Sequence, residues 1–296
     1  MDNLRGIIPP MVTPFNQQEE IDETLLRADI RYMIDQANVS GLVVGGSTGE
    51  GHTLSDDELR RVAGIACDEA DGAVPVLAGV IVDSTRQAVT RVRLLADLPL
   101  TALQVTPVHY LFRPSDEMMM RHFAAVADAG SIPVMIYNVV PWSYLSPALL
   151  ARIIREVDGV MGVKQSAGDL KLLADLLLLL DGQGQVFTAV DPLLYPSYCL
   201  KPDGAIAALL AAAPTLCVQQ WNAVQQGDHA TALDLHHHLL RLWNTMEGDN
   251  LPANVKTAMA LQGRNGGVPR APMPHSNESQ IEAIRAALTA AKLIDA

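Results

Sequence analysis

The sequence predicts an α/β fold, a (β/α)8 barrel with a C-terminal helical extension, and three observations lead there. Short apolar runs alternate with helical patterns eight times before about Gln226. Beyond that point strand signals stop while helical patterns continue. The 296-residue length fits one barrel of about 250 residues plus an appendage. Alternation at this spacing implies right-handed crossovers between parallel strands. Eight units favour closure, with an open doubly wound sheet as the structural alternative.

Strands are expected at Ile7 to Val12, Gly41 to Val44, Val74 to Val80 and Ala102 to Val105, then at Pro133 to Tyr137, Val160 to Lys164, Gln185 to Val190 and Gly204 to Ala208. Each is short and rich in Val, Ile, Leu or Ala, as strands covered on both faces are. Ser55 followed by Glu58 is a capping box for a helix running to about Ala70. Ser84, then Ser115 or Asp116, then Ser146 ahead of Pro147, open the next three helices. Asp169 heads the sixth helix, Asp191-Pro192 the seventh and Pro214 the eighth. Further helical patterns cover Asp228 to Met246, Pro252 to Leu261 and Glu278 to Lys292, and the Gly- and Pro-rich stretch Gly263 to Pro274 is a loop. The expected division is therefore residues 1–226 for the barrel and 227–296 for a helical region packed on it.

Composition excludes several function classes. The hydrophobic content of 49% fills a sizeable core, and the formal charge of −12 argues against a nucleic-acid partner. No apolar stretch reaches the ~20 residues of a membrane helix, and the N-terminus lacks a basic start and apolar signal core. A cytoplasmic protein is expected, with Cys67, Cys199 and Cys217 as reduced thiols. His236, His237 and His238 are consecutive on a helix and point apart, and neither His-Glu-x-x-His nor Cys-x-x-Cys occurs, so no metal site is expected.

Catalytic groups of a barrel sit where strands end and loops begin at its C-terminal face. Lys164 is one of five lysines and ends a strand, whereas Lys171, Lys201, Lys256 and Lys292 fall on helical or loop segments. An amine shielded there can attack a ketone carbonyl, and the protonated imine so formed withdraws electrons from the neighbouring carbon. The bland alternative is a lysine whose stem packs in the strand while its amine reaches water. Tyr137 ends the fifth strand and could shuttle protons, or simply line the barrel. Ser47-Thr48 lies in a glycine-rich turn able to hold a small carboxylate; the turn matches neither the phosphate loop nor the dinucleotide fingerprint, and could be a plain turn. His52 and His109 fall in mouth loops and could contact substrate, with a surface role the simpler reading for each.

Taken in order, Gly46-Ser47-Thr48-Gly49-Glu50, Tyr137-Asn138 and Gly162-Val163-Lys164-Gln165-Ser166 resemble the motifs of the dihydrodipicolinate synthase/N-acetylneuraminate lyase family of class I aldolases. The resemblance runs from Gly6-Ile7-Ile8-Pro9-Pro10 to the C-terminal helices. It implies a Schiff base between pyruvate or another 2-oxo acid and Lys164, with no other cofactor. It further implies that Tyr137 shuttles protons, and that Ser47 and Thr48 bind the carboxylate and relay protons. Homotetramers built as dimers of dimers are implied too, with Tyr110, or His109, reaching a neighbouring site.

Three departures stand out. The stretch Tyr137-Asn138-Val139-Val140-Pro141-Trp142 lacks the arginine that true dihydrodipicolinate synthases use to grip the aldehyde's carboxylate, and an indole cannot replace a guanidinium fork. The loop from Val108 to Arg113 is longer and more apolar than usual. Strand seven ends Ala189-Val190-Asp191, where relatives often have a glycine and an acidic residue lining the second-substrate pocket, so the resemblance makes Val190 and Trp142 the expected second-substrate contacts. The expected function is thus an aldolase-type lyase or dehydratase of 2-oxo acids with altered second-substrate specificity. Dihydrodipicolinate synthase proper is the alternative, and a non-catalytic metabolite-binding barrel is the alternative of another class.

Overall fold

In the computed structural model, which describes residues 4–108 and 110–295, eight parallel strands form one sheet. They are β1 (Gly6–Ile7), β2 (Leu42–Val44), β3 (Val76–Val80), β4 (Ala102–Val105), β5 (Val134–Asn138), β6 (Val160–Gln165), β7 (Gln185–Thr188) and β8 (Gly204–Ala205). Their order is β1-β8-β7-β6-β5-β4-β3-β2. A parallel bridge from Pro10 to Val43, carried by Met11 N–H to Val43 O at 2.8 Å and Val43 N–H to Pro9 O at 2.9 Å, joins the two ends. The barrel is closed.

Helices α1 (Glu23–Asp35), α2 (Asp56–Ala70), α3 (Thr85–Leu95), α4 (Asp116–Ala127), α5 (Pro147–Glu156) and α6 (Leu170–Leu180) follow the first six strands. Each is opened by an Asp or Ser side chain that accepts a backbone N–H of the first turn: Asp22, Ser55, Ser84, Ser115, Ser146 and Asp169. The chain then forms α7 (Leu194–Cys199), α8 (Leu209–Ala212), α9 (Pro214–Gln226), α10 (His229–Met246), α11 (Leu251–Leu261) and α12 (Glu278–Ala290).

The structure corrects several expected boundaries. The first strand is two residues long because Pro9 and Pro10 have no N–H to donate, so its ladder thins to the single bridge at Pro10. The seventh ends at Thr188, whose hydroxyl accepts the Val190 N–H at 3.4 Å and turns the chain out of the sheet. Asp191-Pro192 forms a 3-10 turn over Asp191–Leu193, and the α-helix starts only at Leu194. The last strand stops at Ala205, and the unexpected α8 precedes Pro214.

Strand alternation sends one set of side chains into the barrel and the other toward the helices. Leu4, Ile8, Val43, Leu77, Ala102, Met135, Phe187 and Ile206 fill the interior and plug it below the C-terminal rim. The outward set packs with α1 to α6. A separate core joins α7 to α12 with the β1 and β8 edge, so the C-terminal helices have their own apolar interior against the barrel. No helix among the described residues is long and apolar enough to cross a membrane.

Candidate active site

Tyr137 and Lys164 are partners in the β5–β6 register, so both project into the barrel one layer above Met135 and Gly162. Gly162 is required there, because a Cβ would lie 2.1 Å from Gln185 O on the adjoining strand. Glycine there lets β6 and β7 approach closely just below Lys164. Lys164 is 4% exposed, and its Nζ lies 4.0 Å from the centroid of the Tyr137 ring. The other half of each motif faces outward. Asn138 Nδ2 donates to Gln165 Oε1 at 3.1 Å and to Leu145 O at 3.2 Å, and Asn138 Oδ1 accepts the Leu145 N–H at 2.9 Å. Gln165 Oε1 also accepts the Ala167 N–H at 3.2 Å. These buried amides lock the tips of β5 and β6 from behind, which fixes the direction of Tyr137 and Lys164 in front.

The β2 tip carries the third component. Gly46 O accepts the Gly51 N–H at 2.9 Å and Ser47 O accepts the Glu50 N–H at 3.0 Å, closing a tight turn on itself. A Cβ on Gly51 would sit 1.8 Å from Gly45 O, so the turn can form only with glycine at that point. Thr13 Oγ1 ties it to the segment after β1 by donating to Gly49 O at 2.6 Å. This compaction presents Ser47 to the barrel axis, where Tyr137 Oη donates to Ser47 Oγ at 3.0 Å. Thr48 is buried beside it.

Amine, phenol and the paired hydroxyls meet at the floor of one cavity of about 590 Å³. Val139, Ala189 and Val190 from strand ends and Ala207 and Ala208 after β8 supply apolar wall. Three carboxylates, Asp191, Glu247 and Asp249, also line it, and among the described residues no arginine does. Asp191 is half-buried, and its Oδ1 accepts the Leu209 N–H at 2.7 Å. Burial pushes its carboxyl up to about 7, against the opposing pull of that N–H and of the Lys164 charge. It is an acid near neutrality beside an amine.

Ser47, Thr48, Tyr137, Lys164 and Val190 are therefore brought together, and His52 joins them at the mouth while remaining exposed. Tyr110 and Trp142 are not part of this cavity. They are 64% and 63% exposed, and Trp142 Nε1 donates to Tyr110 O at 2.9 Å, so the two loops brace one another on the outer surface. His109 lies outside the described residues. Sequence reasoning missed Asp191 as a wall residue although it follows a strand end, the position that should have flagged it. It also missed Trp243, Glu247, Asp249, Leu251 and Pro252, where α10 passes into α11, and nothing local in the sequence signals that this junction roofs the cavity. Among the described residues, no group of three or more His, Cys, Asp or Glu side chains is placed to hold a metal ion.

A family model described as "Dihydrodipicolinate synthetase family" matches residues 3–291. The chain belongs to the dihydrodipicolinate synthetase family. It is accordingly an enzyme, a carbon–carbon or carbon–oxygen lyase of that family. Its relatives include the 4-hydroxy-tetrahydrodipicolinate synthase of Methanopyrus kandleri, 33% identical over 285 residues covering 95% of this chain and 94% of the relative. That of Thermomicrobium roseum is 34% identical over 287 residues, 96% of this chain and 94% of the relative. Among solved structures, YagE, a prophage family member from E. coli K12 in complex with pyruvate, superposes with a TM-score of 0.93 at 28% identity, covering 98% of this chain and 99% of the other. CdNal from Clostridium difficile, solved in complex with mannosamine, gives 0.88 at 25% identity, covering 96% and 98%.

Proposed function

We propose that this lyase captures pyruvate or a substituted 2-oxo acid as an imine on Lys164, and then makes or breaks a bond at the neighbouring carbon or eliminates water there. The observation that carries the reading is the Lys164 Nζ, buried and 4.0 Å from the Tyr137 ring whose hydroxyl is bonded to Ser47 at 3.0 Å. The neutral amine adds to the ketone carbon, and loss of water from that adduct leaves the protonated imine. Tyr137, linked to Ser47, supplies the proton that the departing oxygen takes up and later accepts or returns one at the adjacent carbon. The Ser47-Thr48 turn, with its hydroxyls and backbone N–H groups, holds the carboxylate. YagE's complex with pyruvate supports the same substrate class. No other cofactor is required.

Borohydride added with pyruvate should attach the reduced keto acid to the peptide containing Lys164, and Lys164→Ala should abolish it. No adduct with any 2-oxo acid, or an equal adduct in the variant, removes the reading.

Dihydrodipicolinate synthase proper is a second reading, favoured by the names of the curated relatives. Against it stands a cavity that Glu247 and Asp249 edge with negative charge and no lining arginine offsets among the described residues, where that reaction needs a cation for a carboxylated aldehyde. Turnover of pyruvate with aspartate semialdehyde, coupled to the next reductase, decides between them.

The proposal extends to a cytoplasmic homotetramer built from dimers. Free Cys67, Cys199 and Cys217 suit a reducing compartment. Tyr110, Leu111, Phe112 and Trp142 form a contiguous exposed apolar patch, 63 to 81% accessible, of the kind that a second copy covers. Light scattering of the protein and of Phe112→Glu tests it.

A further inference from the structure

We infer that the buried Lys256–Glu50 ion pair makes the C-terminal helices a positioning element of the catalytic site, setting the Ser47-Thr48 turn and through it the grip on the 2-oxo acid. The inference rests on the reading of Lys164 and its turn given above.

Glu50 closes that turn in the left-handed region at φ 55°, a conformation that a side-chain-bearing residue keeps only when its surroundings hold it. Both its carboxylate oxygens are held by the C-terminal region. Oε1 receives the Lys256 Nζ of α11 at 2.6 Å, and Oε2 receives the backbone N–H of Arg270 at 2.9 Å. The two charged side chains are 2% and 0% exposed. Lys256 Nζ donates again to Val268 O at 2.7 Å, and it lies 4.8 Å from the centroid of the Phe15 ring, against which Arg270 packs at 4.1 Å. Lys256, the segment from Val268 to Arg270 and the N-terminal Phe15 thus make one knot whose centre is the Glu50 carboxylate.

Stability alone is a poor reason for such a knot. Desolvating two charges costs about what their attraction returns, and an apolar pair would fill the space as well. Position is the better reason. Glu50 N–H donates to Ser47 O at 3.0 Å, so a shift of Glu50 passes through one hydrogen bond to Ser47, whose Oγ takes the Tyr137 hydroxyl at 3.0 Å. Misplacement of such groups by about 1 Å can cost roughly 10²-fold in rate. The same C-terminal region supplies a comparison: Arg264 makes a second buried pair, Nη2 to Asp29 Oδ1 of α1 at 2.7 Å, and its Nη1 donates to Ala211 O of α8 at 3.1 Å, a helix that supplies no cavity residue. No residue of the cavity lies on α1.

The experiment measures the pyruvate concentration that half-saturates borohydride trapping of Lys164 in the full-length protein. Lys256→Met and Glu50→Gln should raise it about tenfold or more, with trapping still complete at saturating pyruvate. Arg264→Met should melt at lower temperature and leave the half-saturation within about twofold of the unsubstituted protein. If both turn-side variants saturate like the unsubstituted protein, or if Arg264→Met shifts as far as they do, the pair positions nothing. If neither turn-side variant folds, the pair is a folding requirement and the positioning role falls. If the unsubstituted protein traps another 2-oxo acid and not pyruvate, the same comparison is made with that acid; failure to trap any 2-oxo acid would instead remove the Lys164 reading on which the inference stands.

Discussion

Replacing Asp191 with asparagine should stabilise the protein above neutrality and leave it nearly unchanged in acid. The carboxyl, ordinarily near 3.8, is pushed up to about 7 by burial. Between those values the unfolded chain has released its proton while the folded chain retains it. The unfolded state then binds fewer protons, so stability falls as pH rises from about 4, and this carboxyl's destabilising effect is complete just above 7. At about 1.36 kcal/mol per pH unit the loss approaches 4 kcal/mol. Because the carboxyl borders an open cavity, water screening reduces this to ~2–4 kcal/mol. Asparagine keeps the acceptor for the Leu209 N–H, made at 2.7 Å, and never ionises. For a chain of this size each kcal/mol moves the melting temperature by about 2 °C, so Asp191→Asn should melt ~4–8 °C higher at about pH 8. Near pH 4 the two should coincide. The assay is a series of thermal melts of both proteins across that range. A gap that stays constant with pH, or one that widens toward acid, would refute the assignment of a buried, protonated carboxyl at this position.

Tyr137→Phe removes the hydroxyl that meets Ser47 at 3.0 Å while keeping the ring beside Lys164. Turnover should fall about 10²-fold or more, with the borohydride adduct on Lys164 still formed; rates are read in a steady-state assay of 2-oxo acid release or consumption. His122 behaves oppositely to Asp191: burial holds its imidazole down at about 4, against an ordinary 6.5. The unfolded chain takes up a proton first as pH falls, so stability should drop from about pH 6.5 down to about 4. His122→Gln, able to keep a bond to the Thr85 hydroxyl now 3.0 Å from Nδ1, should flatten that acid limb in melts. Arg264→Met leaves the Asp29 carboxyl buried without its guanidinium partner, which should cost ~3–5 kcal/mol in denaturant titrations.

The order of elements is legible in the sequence because parallel strands and their helices are specified by residues near one another along the chain. Apolar runs of strand length mark the units, and Ser or Asp caps mark the helices of the second to sixth. Family motifs at strand ends then drew attention to Ser47, Thr48, Tyr137 and Lys164, because a strand end is a position that sequence can locate. Strand lengths at Pro9-Pro10 and beyond Thr188 were misjudged where a missing donor and a side-chain acceptor override an apolar pattern.

What the sequence by itself determined, then, is the set of units, their direction and which residues end each strand: properties of neighbours along the chain. Only tertiary structure decided that Tyr137 stands opposite Lys164, that Asn138 and Gln165 brace them from behind, and that Trp142 turns outward to Tyr110. It alone carried Lys256 across 206 residues to Glu50 and brought Glu247 and Asp249 over the cavity. The physical reason is that burial, charge pairing and desolvation depend on closure of the barrel and docking of the last helices, and no local stretch of sequence encodes either distance.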